Sequence, residues 1–213
     1  MLKKIIGATV AIAVGLSAQT VHAADFSANI GFASEYIYRG IPQSSSSASA
    51  GLDLSGGGFN VGVWGADVTD GIEIDYYGGY SLEAGDFNLS VGGTLYTYTD
   101  DFDDTYLEAN FGVGWKFLSF AAAVGEYDNF GGPTLDYQFY SLTATYEGFY
   151  GKVGTFADDF TGTYYEGGYN GTLTVKDTNL FDYAAVVVYS DADLLGGDSE
   201  TNLTLTVTKS FSL

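Results

Sequence analysis

From Phe26 almost to the last residue, apolar and polar side chains alternate at a period of two, and this constrains the fold more than any other feature of the chain. Successive side chains of a strand point to opposite faces, so each such segment has one greasy and one wet surface. Phe26, Ala28, Ile30, Phe32, Tyr36 and Tyr38 share one face, against Ser27, Asn29, Gly31, Ala33, Glu35 and Arg39. Leu107, Ala109, Phe111, Val113 and Trp115 oppose Glu108, Asn110, Gly112 and Gly114 in the same way. The alternation delimits strands at 25–39, 47–55, 59–67, 72–83, 87–99, 105–117, 119–127, 136–147, 149–156, 163–175, 180–190 and 201–213. No helix-period apolar stretch competes with it after the first two dozen residues. The expected fold is all-β: a transmembrane antiparallel up-and-down β-barrel of about twelve strands, ten to fourteen being the range a merged or split hairpin allows. Within 136–147, Tyr137 and Phe139 point one way while Tyr140, Leu142, Ala144 and Tyr146 point the other.

A soluble lipocalin-like barrel also alternates, with its apolar face inward, so the polar face has to decide. Here it is Gly, Ser, Thr, Asn and acids, which suits a hydrated lumen better than a lysine-bearing exterior. Aromatic residues gather toward strand ends, as in Tyr36, Tyr38, Phe59, Tyr96, Tyr98, Phe149, Tyr150 and Tyr189, the places of interfacial girdles. Connections after Arg39, Asp67, Thr99, Tyr127, Phe156 and Ser190 read as the longer, extracellular set, with acidic clusters. Gly56-Gly57-Gly58, Gly85-Asp86, Leu118-Ser119 and Glu147-Gly148 read as tight periplasmic turns.

At the N-terminus, Lys3 and Lys4 precede an apolar run from Ile5 to Leu16 and a segment ending Val21-His22-Ala23. That pattern is a secretory signal peptide at 1–23, too short to span a bilayer, which leaves 24–213 as a single outer-membrane barrel domain. Cleavage after Ala23 would remove the only His, the only Met and two of the seven basic residues, so the remaining chain is more acidic than the −20 of the whole. Such a charge excludes nucleic acid as a partner, since phosphate binding depends on Lys and Arg. With no Cys anywhere, the exported chain has no thiol or imidazole for a zinc site or a nucleophile and base pair, so no cofactor and no enzyme activity are expected.

The last residues, from Leu205 through Val207 and Phe211 to Leu213, resemble the closing strand by which the barrel assembly machinery recognises outer-membrane proteins. The opening of the exported chain, Phe26-Ser-Ala-Asn-Ile-Gly-Phe-Ala-Ser-Glu-Tyr-Ile-Tyr-Arg-Gly-Ile41 followed by Gln43, resembles that of the TorF family of porin-like proteins. That family is also described as the Gcw_chp family of proteobacterial outer-membrane proteins. The resemblance implies a Gram-negative outer-membrane barrel set in lipid and lipopolysaccharide, with an unassigned substrate.

The candidate pore lining is Glu35, Asp53, Glu73, Asp75, Glu108 and Glu166, opposed by Lys116 and Lys152, with Arg39 near the outer mouth. Acids outnumber bases, and rings of carboxylates favour cations along a narrow wet path. The expected function is an outer-membrane porin-like channel for passive diffusion of small, cation-biased solutes, with an open lumen. Charges pairing across and filling a twelve-stranded barrel are the other reading of the same residues. Glu73 and Asp75 share a face and suggest a carboxylate pair, which in a wet lumen is pore lining rather than catalysis. The loop acids Asp100, Asp101, Asp103 and Asp104 are a candidate site for a divalent cation, although they lack the glycine of an EF-hand and are also plain solvated charge. A non-conducting barrel that presents its acidic loops is the alternative function, and a soluble periplasmic ligand-binding barrel the third.

Overall fold

The alternating segments pair in chain order and close on themselves. The protein's computed structural model describes residues 25–213, so the predicted leader 1–23 and its cleavage site lie outside the described residues. In chain order the strands are β1 (Asp25–Ala33), β2 (Tyr36–Tyr38), β3 (Ile41–Ser44), β4 (Ser47–Gly56), β5 (Phe59–Val68), β6 (Gly71–Ala84) and β7 (Phe87–Tyr98). They continue with β8 (Tyr106–Trp115), β9 (Leu118–Tyr127), β10 (Leu135–Tyr146), β11 (Phe149–Asp158), β12 (Thr163–Val175), β13 (Thr178–Ser190) and β14 (Glu200–Ser212). All but β2 and β3 form one closed antiparallel barrel of twelve strands, sealed where β1 lies between β4 and β14. Closure leaves no strand edge, so every barrel strand finds backbone partners on both sides.

Residues paired across strands share a face, so the register assigns inside and outside. Large apolar side chains stand exposed around the whole exterior, from Ile30 on β1 through Val61, Val91, Phe120 and Tyr165 to Leu205 on β14. An apolar surface of that extent is stable against lipid rather than water. In β10, Tyr137 and Phe139 face the lumen while Tyr140, Leu142, Ala144 and Tyr146 face out, as the alternation indicates.

One end of the barrel carries only two-residue turns, at 57–58, 85–86, 116–117, 147–148 and 176–177. The turn predicted at Leu118-Ser119 is therefore at Lys116-Phe117, where Lys116 takes a left-handed φ of 54°. The other end carries the longer connections, with one exception: Val68 pairs with Gly71, so the connection predicted as long after Asp67 is a two-residue turn. Thr69 of this turn donates through both its N–H and its hydroxyl to the Gln43 carbonyl on β3, the hydroxyl at 2.7 Å. The first strand also stops early. Ser34 Oγ accepts from the Leu205 N–H at 2.9 Å, while the Ser34 N–H donates to the Leu205 carbonyl, so the ladder ends there and the chain leaves the wall. Tyr36 and Tyr38, predicted on the lipid face at the end of a long first strand, consequently lie inside the barrel.

Candidate functional site: a hairpin latched inside the barrel

Residues 34–46, between β1 and β4, fold back into the loop end of the lumen as the β2–β3 hairpin. Its tip is a two-residue turn between Tyr38 and Ile41, with both central residues at positive φ, Arg39 at 48° and Gly40 at 83°. This is the type I′ geometry that matches the twist of a hairpin, and it favours glycine because a Cβ is strained there. Space demands glycine as well: a Cβ on Gly40 would lie 2.6 Å from Tyr164 Cβ and 2.8 Å from Leu194 Cδ2. The Gly40 carbonyl accepts from Ser190 Oγ at 2.5 Å, which pins the tip to β13.

The Arg39 side chain reaches the opposite wall. Its Nη1 and Nη2 donate to the two carboxylate oxygens of Glu108 on β8 at 2.6 and 2.9 Å, a bidentate pair. Tyr96 on β7 and Tyr137 on β10 donate their hydroxyls to the same carboxylate at 2.8 and 2.9 Å, and Tyr38 shares a 2.6 Å hydrogen bond with Tyr96. The guanidinium carbon lies 4.2 Å from the Phe139 ring centroid and 4.9 Å from that of Tyr38. Glu108's side chain is fully buried and Arg39's is 13% exposed. Fork geometry, charge and two aromatic faces make this a charge-assisted contact shielded from water.

A second contact on the hairpin is less balanced. Tyr36 donates to Glu73 Oε1 on β6 at 2.8 Å, but among the described residues Glu73 Oε2 and Asp75 Oδ1 are buried with no partner beyond a hydrogen bond that the two carboxyls can share when one holds a proton. Glu73 is 1% exposed and Asp75 6%, and among the described residues no salt bridge reaches either. Burying two carboxylates on one strand face without a cation opposes the closed arrangement.

Loop residues complete the closure of this end. Phe102 packs on the Tyr36, Ala66 and Val68 cluster, and Leu194, from the short helix α1 (Ala192–Leu195), packs on the cluster of Phe139, Tyr164, Val186 and Val188. Phe160 stacks on Tyr137 with ring centroids 5.1 Å apart. The loop half of the lumen is therefore filled, against the expectation of an open path. The turn half is wetter and lined with small residues, and inward Ser119 and Ala121 are exposed. Here Asp53 accepts from Tyr77 at 2.5 Å and from Asn29 Nδ2 at 3.4 Å.

Among the predicted lining residues, Asp53, Glu73, Asp75, Glu108, Lys152 and Glu166 face the lumen. Lys152 lies 3.8 Å from Glu166, which also accepts from Tyr150. Arg39 is inside too, but on the hairpin tip rather than at the end of a wall strand. Glu35 is in the connection that leads into the hairpin, so it is not part of the wall. Lys116 is not in the lumen: it sits in a turn, half exposed, 3.7 Å from Asp86. The four loop acids do not converge. Asp103 accepts from Tyr106 and Tyr127, and Asp104 from the Thr105 and Phe130 N–H groups, and among the described residues no group of three acids, histidines or cysteines could hold a metal. Of the predicted girdle aromatics, Phe59, Phe149 and Tyr189 face out, whereas Tyr36, Tyr38, Tyr96, Tyr98 and Tyr150 face in. The residues that sequence reasoning left out of the site are these inward tyrosines together with Tyr137, Phe139 and Gly40.

An up-and-down barrel with an apolar exterior, an acidic lumen and an inward-folded connection is the class that the fold and site define. The chain belongs to the Gcw_chp family, described as a bacterial protein of unknown function, whose model matches residues 17–158. No curated protein matches it. Among solved structures, a chain from work on the in-meso crystallization of membrane proteins is similar at 8% identity with a TM-score of 0.58, over 89% of this chain and 84% of that one. OprD of Pseudomonas aeruginosa aligns at 14% identity and a TM-score of 0.41, over 89% of this chain and 67% of its own. A BenF-like porin of Pseudomonas fluorescens Pf-5 aligns at 10% and 0.43, over 80% and 56%. At 8% identity, the first of these likenesses is one of fold alone.

Proposed function

We propose that the protein is a porin-like channel of the bacterial outer membrane, exported on its N-terminal leader and closed by its own hairpin. The observation that carries this reading is the division of the lumen. The turn half is solvent-accessible and lined by small residues and acids, while the loop half is stopped by a segment held through side-chain bonds from a connection, not by wall residues alone. A connection can move without breaking a barrel ladder, so the closure is compatible with gating. The acids Asp53, Glu73, Asp75 and Glu166 outnumber Lys152, the one lumen-facing wall cation among the described residues, which supports a preference for small cationic solutes. The resemblance to TorF-type porins agrees with this reading.

Planar-bilayer recording of the refolded, leader-free protein under a salt gradient tests it. Discrete steps with a cation-sided reversal potential, weakened in Glu73→Gln/Asp75→Asn, are expected. A folded, heat-modifiable barrel that never conducts, even with residues 36–44 replaced by a short flexible turn, refutes it. That result would favour the second reading, a non-conducting barrel that presents its loops, which the aromatic fill by Phe102 and Phe160 supports.

A further inference from the structure

The surroundings of Arg39 have the form of a receptor site with its ligand in place. Glu108, Tyr96, Tyr137 and Phe139 all belong to barrel strands, β8, β7 and β10, and hold their positions through the wall's own ladders. Arg39 and the Tyr38 that flanks it come from the connection instead, and Arg39, the one charged group among them, does so from a left-handed backbone conformation. The four wall residues present a buried carboxylate with both oxygens turned to one planar fork, two hydroxyls that fix that carboxylate, and an aromatic face 4.2 Å from the cation's centre. A guanidinium satisfies all of these at once. An ammonium, a point charge without a fork, reproduces the charge but not the paired hydrogen bonds or the stacking. The lumen's other ion pair shows the contrast: Lys152 meets Glu166 through one contact at 3.8 Å.

We propose that Glu108, Tyr96, Tyr137 and Phe139 form a binding site for small guanidinium-bearing solutes, and that Arg39 is its resident, displaceable occupant. The site's existence stands on this geometry alone. Its consequence, that an incoming guanidinium releases the hairpin and opens the lumen, rests on the channel reading above. Displacement is aided by the state it ends, because Tyr36 covers Glu73 while, among the described residues, no cation faces the buried Glu73 and Asp75 pair. When the hairpin leaves, those carboxylates regain water and add negative charge along the solute's path. A tethered occupant competes at an effective concentration of about millimolar, so a free solute acts in that range or above it.

The test uses the refolded full barrel with methylguanidinium as probe and methylammonium as control, in wild type, Arg39→Ala, Arg39→Lys and Arg39→Ala/Glu108→Gln. Binding is read by calorimetry and by Trp64 fluorescence in a Trp115→Phe background, since Trp64 meets Tyr36 edge to face at 5.9 Å. The proposal expects Arg39→Ala to bind methylguanidinium at least tenfold more tightly than wild type and at least tenfold more tightly than it binds methylammonium. The added Glu108→Gln change removes that preference. Arg39→Lys, which keeps the charge and stands in should Arg39→Ala not fold, is displaced by less methylguanidinium than wild type. In bilayers the probe raises the open fraction of wild type and not that of Arg39→Ala/Glu108→Gln. Folded variants that bind neither cation, or both equally, overturn the proposal. Selective binding in barrels that never conduct upholds the site and removes the channel reading instead.

Discussion

Glu108→Gln is the most incisive single perturbation of the latch. The wild-type carboxylate is fully buried and takes four hydrogen bonds, two from Arg39 and two from tyrosines. Glutamine fills nearly the same volume but turns an amide toward the guanidinium and leaves Arg39 without a counterion. Removing one partner of a buried pair costs about 3–5 kcal/mol. In this fold the cost need not unfold the barrel, because the arginine can escape with its hairpin. The 3–5 kcal/mol then becomes a rise in the hairpin-out population of roughly 140- to 4,000-fold at about 1.4 kcal/mol per factor of ten. The chain has no cysteine, so a single Ile37→Cys change supplies a clean reporter for a membrane-impermeant maleimide. Ile37 packs against the cluster that includes Phe139 and Tyr164, and it becomes reactive when the hairpin swings out. Labelling should accelerate by at least about 100-fold in Glu108→Gln, and a Met pair at both 39 and 108 should recover much of the protection, since apolar replacement of both partners avoids an unpaired charge. A change below about fivefold in the single variant, or an equal acceleration in single and double variants, refutes the latch; the threshold sits below one factor of ten.

Three further outcomes follow from the same contacts. Asp75→Asn removes one of two adjacent buried carboxyls that no cation faces among the described residues, so it should slow Ile37→Cys labelling and stabilise the closed state by about 1 kcal/mol or more, opposite in sign to Glu108→Gln. Gly40→Ala combines a positive φ with a Cβ 2.6 Å from Tyr164 Cβ, and should weaken hairpin docking by about 1–3 kcal/mol in the same assay while leaving the barrel's urea midpoint unchanged. EDTA should leave the thermal transition unmoved, because Asp103 and Asp104 are engaged by tyrosine hydroxyls and backbone N–H groups; a fall in the transition temperature would restore the metal reading of that loop.

The barrel is legible in the sequence because lipid and water impose a strict two-residue alternation, and strand number follows from counting it. What the alternation cannot carry is the point at which a strand leaves the wall. Phe26, Ala28, Ile30 and Phe32 keep the parity of Tyr36 and Tyr38, so the sequence extends the first strand to Arg39; the exit depends on Ser34 bonding to Leu205, a contact across 171 residues. The tyrosines are a different case. Tyr96 shares parity with Thr94, and Tyr150 with Lys152, so position marks them as lumenal even though residue type suggests a lipid interface. Parity outranks residue type inside a barrel, because facing is fixed by the backbone and a tyrosine is stable wherever its hydroxyl finds a partner. Lys116 erred in the other direction, counted as a strand residue when it begins a turn.

Seen energetically, the closed state is a balance of two acidic contacts made by one hairpin. Arg39 neutralises Glu108 completely and ties the tip down. Tyr36 gives Glu73 one neutral hydrogen bond and, among the described residues, leaves the Glu73 and Asp75 pair without a cation. A plug selected only for permanence would place a second cation at position 36 or replace the acids beneath it, since either change lowers the cost of closure. On the proposed gating, two costly carboxylates under a segment secured by a single ion pair would bring the closed and open arrangements close in free energy, which is the condition for a small solute to shift between them.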